Sequence, residues 1–565
     1  MALGSVGENA WVGLPNGLPD YAQVHRFRDL TLSDRSLVQA SGAQRGDIVL
    51  RGQQVWLREG SIVSVDALGE SDGGTLAVTA QNLLLQDGSQ LQTGTRGPGP
   101  GGNLVVQSEA IAIQGHRPNS RIVSGLLAVS TAEATGTGGQ IAVTTNRLTL
   151  TDGGQIATTT FGRGDAGNLR IVADAIGIAG GIPGDDLIAS GIKAATGLNA
   201  VGRGGEAIVT ARQIDVRNGG EIQVSTLGSG NAGELRLTVG ESLTVQGTSE
   251  TGQFPSGVRA VAGLVGVNEA VSGAGGNLMV RGPHLQIADG AIVQVSATGS
   301  GAAGNLQIEG DRLELRNGAA LVGDTRAGAG NLQIATGLLI LRENSRISTN
   351  AQGVAVGGNL DVQSNVLVAL ANSDITANAE AARGGRISLQ TRGLLGTTFR
   401  DRLTPASDIT ATSELGPEFS GIVEIQAPDR DPNPTVGAFP EQPLDVAPWL
   451  TSRCRQDAVR RNRFVWVGGG GLPQAPFFAP LVDLGELSPS SKAPGRSSAV
   501  LLEGCGEAPW GKPSPPIGLD GRKPASVLGF PLSPVSEPAE GGKGSQSTSG
   551  SLSPSMGEGV GGWEK

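Results

Sequence analysis

Cysteine is almost missing: Cys454 and Cys505 are the only two in 565 residues. That excludes a disulfide framework, and no Cys-x-x-Cys metal pattern occurs. Aromatic residues make up only 3%, so a core must be built from Leu, Ile and Val. Lysine is nearly absent as well, Lys193 being the only one before Lys492. The net charge is −10 and no Lys/Arg stripe occurs, so nucleic acid is not an expected partner. No stretch approaches the roughly 18 apolar residues of a membrane span. The opening residues, Met1-Ala2-Leu3-Gly4-Ser5-Val6, lack the basic and apolar regions of a signal peptide.

Glycine is what the chain has in excess, with 91 residues. No Gly-X-Y period is present, which excludes collagen. Instead one anchor returns: a glycine, a polar residue, then an aliphatic residue that opens an alternating run. It reads Gly46-Asp47-Ile48, Gly74-Thr75-Leu76, Gly102-Asn103-Leu104, Gly139-Gln140-Ile141, Gly167-Asn168-Leu169 and Gly233-Glu234-Leu235. It continues as Gly276-Asn277-Leu278, Gly304-Asn305-Leu306, Gly330-Asn331-Leu332, Gly358-Asn359-Leu360 and Gly385-Arg386-Ile387. Gly205 marks another, with Ile208 one place late. Successive anchors commonly stand 28 residues apart, and three gaps are longer, at 37, 38 and 43 residues.

Inside the units lies a second element, an alternating aliphatic run ending in Asp-Gly or Asn-Gly. Leu85-Gln86-Asp87-Gly88, Leu150-Thr151-Asp152-Gly153 and Val216-Arg217-Asn218-Gly219 are examples. Asp-Gly and Asn-Gly supply the positive φ of a tight turn. Each unit therefore reads as strand, turn, strand, tight turn, short strand, with one face in and one out. A hairpin array would need both faces of every unit covered. The same few aliphatics returning at one phase fit stacked coils better. The expected fold is all-β, a right-handed single-stranded parallel β-helix. About 13 coils at roughly 4.8 Å each give a rod of roughly 60 Å. Each coil would bury about six aliphatics, each stabilising by roughly 1.5–3 kcal/mol, and none overcomes its ordering entropy alone.

The three longer units share a polar excursion after the second strand. It runs from His116 to Ser124, from Gly180 to Ser190 and from Gly247 to Ser256. Insertions at one place per coil map to one face of a solenoid, so a row of protrusions two coils apart is expected. Residues 1–29 read as a lead-in or partial coil, and 30–427 as the β-helix. Residues 428–487 read as a proline-rich linker and cap, and 488–565 as a low-complexity, disordered tail.

The coils resemble the filamentous haemagglutinin-like exoproteins of two-partner secretion over roughly residues 10 to 480. The likeness is most specific at the C-terminal side. The last coil, from Ser407-Asp408-Ile409-Thr410 to Ser420-Gly421, leads into Ile422-Val423-Glu424-Ile425 and Pro428-Asp429-Arg430-Asp431-Pro432. Cys454, the aromatic run Phe464-Val465-Trp466-Val467 and Gly470-Gly471-Leu472-Pro473 follow in the family's order. The family usually carries Arg where this chain has Gly469. The resemblance implies an extracellular or cell-surface scaffold, with glycans or other surface proteins as partners. It also implies a signal peptide and an N-terminal secretion domain read by an outer-membrane transporter. Neither is present in this chain, so the transporter is expected as partner only of a full-length form. In an oxidising compartment Cys454 and Cys505 would pair, and otherwise they remain two free thiols.

Several motifs invite chemistry and are better read as turns. Gly-x-Gly-x-x-Gly at Gly162-Gly164-Gly167, Gly228-Gly230-Gly233 and Gly299-Gly301-Gly304 precedes strands, whereas a dinucleotide site needs a strand before it and a helix after. Gly69-Glu70-Ser71-Asp72-Gly73 matches a nucleophile elbow, but His25, His116 and His284 are scattered. Asp34, Asp87, Asp152 and Asp289 alternate with Asn218 and Asn317 at one turn position, which suits φ rather than charge. Arg45-Gly46-Asp47 and Arg163-Gly164-Asp165 fall on repeat glycines. Asn103, Asn168, Asn277, Asn305, Asn331 and Asn359, behind Gly102, Gly167, Gly276, Gly304, Gly330 and Gly358, are structural turn positions whose amides can stack between coils. No cofactor or metal site is read. The expected function is a non-enzymatic adhesive scaffold. The alternative is a carbohydrate-active β-helix lyase or hydrolase, which would need converging carboxylates in one cleft.

Overall fold

The computed structural model describes residues 1–7, 12, 20–21, 23–263, 271–328 and 330–427. The chain divides into one unit of Met1–Asp429 with Ser555–Lys565 and another of Arg430–Pro554. All described residues belong to the first. Cys454, Cys505, the linker and the tail lie outside the described residues.

The described chain is all-β, a parallel β-helix. A 16-stranded sheet holds the long strands and a 14-stranded sheet the short ones, and each strand's partner is the equivalent strand of the next coil. Among the described residues the only other sheet is the two-stranded antiparallel pair of Gly181–Ile182 and Asp185–Ala189. No α-helix occurs among the described residues, which hold one 3₁₀ turn at Pro417–Phe419. No helix among them is long and apolar enough to cross a membrane.

The coil differs from the sequence reading at its first corner. In most coils no turn separates the first two strands, which run as one strand of up to 12 residues, such as Asn103–Gln114. An exception is Leu278–Arg281 and His284–Ala288, which Gly282-Pro283 divide. Leu104 and Val106 face inward, then Ile111 and Ile113 do, so the inward parity switches in mid-strand. The strand bends there. A hydroxyl spans the bend: Ser108 Oγ donates to the Ala110 carbonyl at 2.9 Å and Thr145 Oγ1 to the Arg147 carbonyl at 3.1 Å. Both also reach the coil before, at the carbonyls of Gln81 and Glu109. Side-chain satisfaction replaces a loop: the ladder skips the one residue at the corner, Glu109 between Ser108 and Ala110, and resumes beyond it.

Inward residues form columns. Leu50, Val78, Val106, Val143, Ile171, Val209, Leu237, Val280, Ile308, Ile334, Val362, Leu389 and Ile425 are successive register partners, one per coil. One coil buries Leu104, Val106, Ile111, Ile113, Leu126 and Ala128, each no more than 1% exposed. At the Gly205 anchor, Ala207 takes the inward place and the late Ile208 faces out.

Glycine serves two different purposes. At the tight turn it follows a non-glycine residue that already has positive φ: Asp87 at 56° then Gly88 at 75°, Asp152 at 54° then Gly153 at 91°, Asn218 at 54° then Gly219 at 85°. Two consecutive positive φ values are type I′ geometry, normally a hairpin signal. Here the turn joins a long strand to a short strand of the other sheet. The anchor glycines have no such φ. They are required by close approach: an added Cβ on Gly167 would lie 1.7 Å from the Gly139 carbonyl oxygen, and one on Gly304 would lie 1.8 Å from that of Gly276.

Side-chain ladders bind the coil corners. Asn277 Oδ1 accepts from the Asn305 N–H at 3.0 Å and its amide at 3.1 Å, and Asn331 Oδ1 accepts likewise from Asn359 at 3.1 and 3.2 Å. Asn168 Oδ1 accepts the Glu206 N–H at 2.9 Å. An inner ladder runs Asp324, Asn350, Asn378: each Oδ1 accepts a backbone N–H of the next coil at 2.8 Å, the last from Thr412. Burial pushes the Asp324 carboxyl above its ordinary value of 3.8, outweighing the Asn350 N–H that favours the anion. A raised folded value means that stability is lost as pH rises through it. Asp324→Asn, which copies the next two rungs, should therefore unfold at higher urea than the parent at pH 7. That advantage should shrink away as pH falls to 3.8 and below. An unchanged or lower midpoint at pH 7 would reject the buried-charge account.

Candidate functional site

The three excursions leave from register-equivalent ends of long strands. Gln114 partners Thr151, Thr151 partners Ala179, Ala179 partners Arg217, and Arg217 partners Gln246. Gly115, Gly180 and Gly247 follow on alternate coils, all with φ between 68° and 77°. Each excursion closes alike: the N–H of Ser124, Ser190 or Ser256 donates to the carbonyl of Gly115, Gly180 or Gly247 at 2.9 Å. The same serines' Oγ accept the turn N–H of Gly88, Gly153 and Gly219, again at 2.9 Å. The Ser-Gly return motif is thus a rivet between an excursion and the tight turn of the coil before. Each excursion lies over that turn. A Cβ on Gly88, Gly153 or Gly219 would come within 2.7, 2.7 and 3.0 Å of Arg117, Ile182 and Ser249.

A second clamp was not legible as a motif. The Gln90 amide donates to the Val123 carbonyl at 2.8 Å, and the Gln155 amide to the Ala189 carbonyl at 3.1 Å. At the third excursion the equivalent residue is Glu221, which cannot donate when ionised. Arg259 donates to the Pro255 carbonyl instead, and it pairs with Glu221 at 3.2 Å. Lys193 closes on the other Glu221 oxygen at 2.8 Å. All three side chains are at most 14% exposed. Burial pushes the Arg259 guanidinium below its ordinary value, while the Glu221 charge opposes that. The signal available was a Gln, Gln, Glu series ahead of Leu91, Ile156 and Ile222.

The excursions differ in what they present. The first carries His116, Arg117 and Arg121. The second exposes Leu187, and the third exposes Phe254, a rarity in a chain this poor in aromatics. Arg121 reaches Asp185 at 2.7 Å and ties the first excursion to the second. Between the second and third a cleft of about 320 Å³ stays open. It is lined by Asp152, Asn218, Ile182, Pro183, Thr248 and Glu250, among others.

A larger dish of about 410 Å³ lies at the anchor corner, around Asp165, Arg203, Asn231 and Glu234. Its carboxylates are engaged: Asp165 with Arg203 at 3.1 Å and Glu234 with Arg236 at 2.8 Å. The carboxyls raised by burial, Asp66, Asp324 and Asp374, stand on separate coils. Among the described residues no group of three or more His, Cys, Asp or Glu is placed to hold a metal.

The other sequence motifs are placed as follows. Ser71 stands between the strands Ile62–Ala67 and Thr75–Leu85, a strand-to-strand passage. Arg45 pairs with Asp47 in its own tripeptide at 3.1 Å, and Gly164 stacks against the Gly136 carbonyl. Gly162-Gly164-Gly167 opens into the strand Leu169–Ala179. No protein-family model, no curated protein and no solved structure matches this chain.

Proposed function

We propose that this chain is the structural and adhesive β-helical scaffold of a filamentous haemagglutinin-like exoprotein, working at the cell surface or outside the cell. The observation that carries the reading is the row of three identically riveted excursions, two coils and so roughly 10 Å apart on one side. A rigid row of similar small contacts suits multivalent attachment to a repeating surface, of glycans or of other surface proteins, where avidity exceeds each contact by roughly 10²–10⁴. The stack holds the loops in register, so their own sequences are free to vary. An outer-membrane transporter would deliver the scaffold.

The test is to replace all three excursions by the Asn-Gly turn of the short coils. Circular dichroism should remain that of a β-protein, since Asn218-Gly219 already makes this connection. Attachment to cells should fall by at least about a hundredfold. Undiminished attachment by the shortened chain would place binding elsewhere.

A further inference from the structure

Alternation of long and short coils leaves a gap between neighbouring excursions. Between the first and second excursions the gap is bridged by Arg121 and Asp185. Between the second and third it is the open cleft of about 320 Å³. That volume is at the lower end of small-ligand sites. Its sides differ: Pro183 offers an exposed apolar wall, with Ile182 buried behind it at 6% exposure, whereas Thr248, Ser249 and Glu250 offer a polar one. The floor is made by the turn residues Asp152 and Asn218, both of positive φ and both exposed. Two carboxylates line it, and no Lys, Arg or His does.

We infer that this cleft is a sugar subsite for a pyranose that is neutral or carries an amine, and that it rejects sulfated and carboxylated sugars. The inference rests on the attachment reading above and names the ligand class for it. A pyranose presents an apolar ring face, which suits the exposed Pro183, and hydroxyls, which suit the Asn218 amide and the Thr248 hydroxyl. Asp152 and Glu250 attract an ammonium group and repel anions. A peptide fits less well. The strands here are interior to both sheets, so no free edge is available for strand addition.

The experiment titrates the intact chain with three probes: a partly deacetylated chitin oligomer, a neutral cellulose oligomer and heparin. The amine-bearing oligomer should bind about tenfold tighter than the neutral one, as two partly exposed charge contacts allow, with heparin weakest. The variant D152N/E250Q keeps the turn, since Asn218 already occupies this position two coils on. It should lose the preference, binding the amine-bearing and neutral oligomers alike. An unchanged preference in that variant overturns the inference. So does a parent that binds neither oligomer, or one that binds heparin or a lysine-rich peptide more tightly. Failure here, with cell attachment still lost on shortening the excursions, removes the subsite and leaves the scaffold reading standing. Failure of both removes both.

Discussion

Gly167→Ala is expected to destabilise the β-helix by more than about 3 kcal/mol, beyond the usual cost of overpacking a core. The new Cβ would stand 1.7 Å from the Gly139 carbonyl oxygen and 2.5 Å from its carbon. Both obstacles are backbone, held by the ladder, so no side chain can swing aside. Gly177→Ala is the matched control. It lies in the strand Leu169–Ala179, and a Cβ there meets nothing within 4 Å. Alanine at that place should be neutral or add up to about 1 kcal/mol, because glycine costs entropy in a strand. Urea midpoints of the two variants give the comparison. Equal midpoints would mean that the anchor glycines are tolerated rather than required.

Breaking the ion network is the second large effect. Glu221→Ala leaves Lys193 and Arg259 buried without their partner, and removing one member of a buried pair costs roughly 3–5 kcal/mol. Other coils carry Leu127 and Gln294 in the rows of Lys193 and Arg259. The triple change Glu221→Gln, Lys193→Leu and Arg259→Gln rebuilds the neutral clamp of the first two excursions. It should recover most of the loss, because a buried ion pair gives little net stability over a well-packed neutral set. A triple variant as unstable as Glu221→Ala would show that the charges are needed for themselves.

The coil was readable because its requirements recur. Period-two aliphatics must face one core, and Asp87-Gly88 and its equivalents must reach positive φ. The bend at Ser108–Ala110 was not readable as a bend, since one hydroxyl there replaces the turn residues a reader looks for. Ile208 misled for a related reason. A strand position is decided by its neighbours' register, and Ala207 is the partner of Leu169 and Leu235. The excursions were visible as insertions, but their rivets were not. Ser124 and Gln90 meet turns and carbonyls 33 to 36 residues away, and no local pattern marks such a pair.

The rungs that hold one coil to the next run along the stacking direction. A load applied to the two ends of the stack therefore pulls along those hydrogen bonds instead of sliding strands past one another. Strands so loaded detach rung by rung, each at low force, from whichever end yields first. A coil of 28 residues then pays out roughly 90–100 Å of chain. If the scaffold tethers a cell as proposed, a cell tugged by flow would feel a tether that lengthens in steps, sparing the weak contacts at its far end from the full jolt.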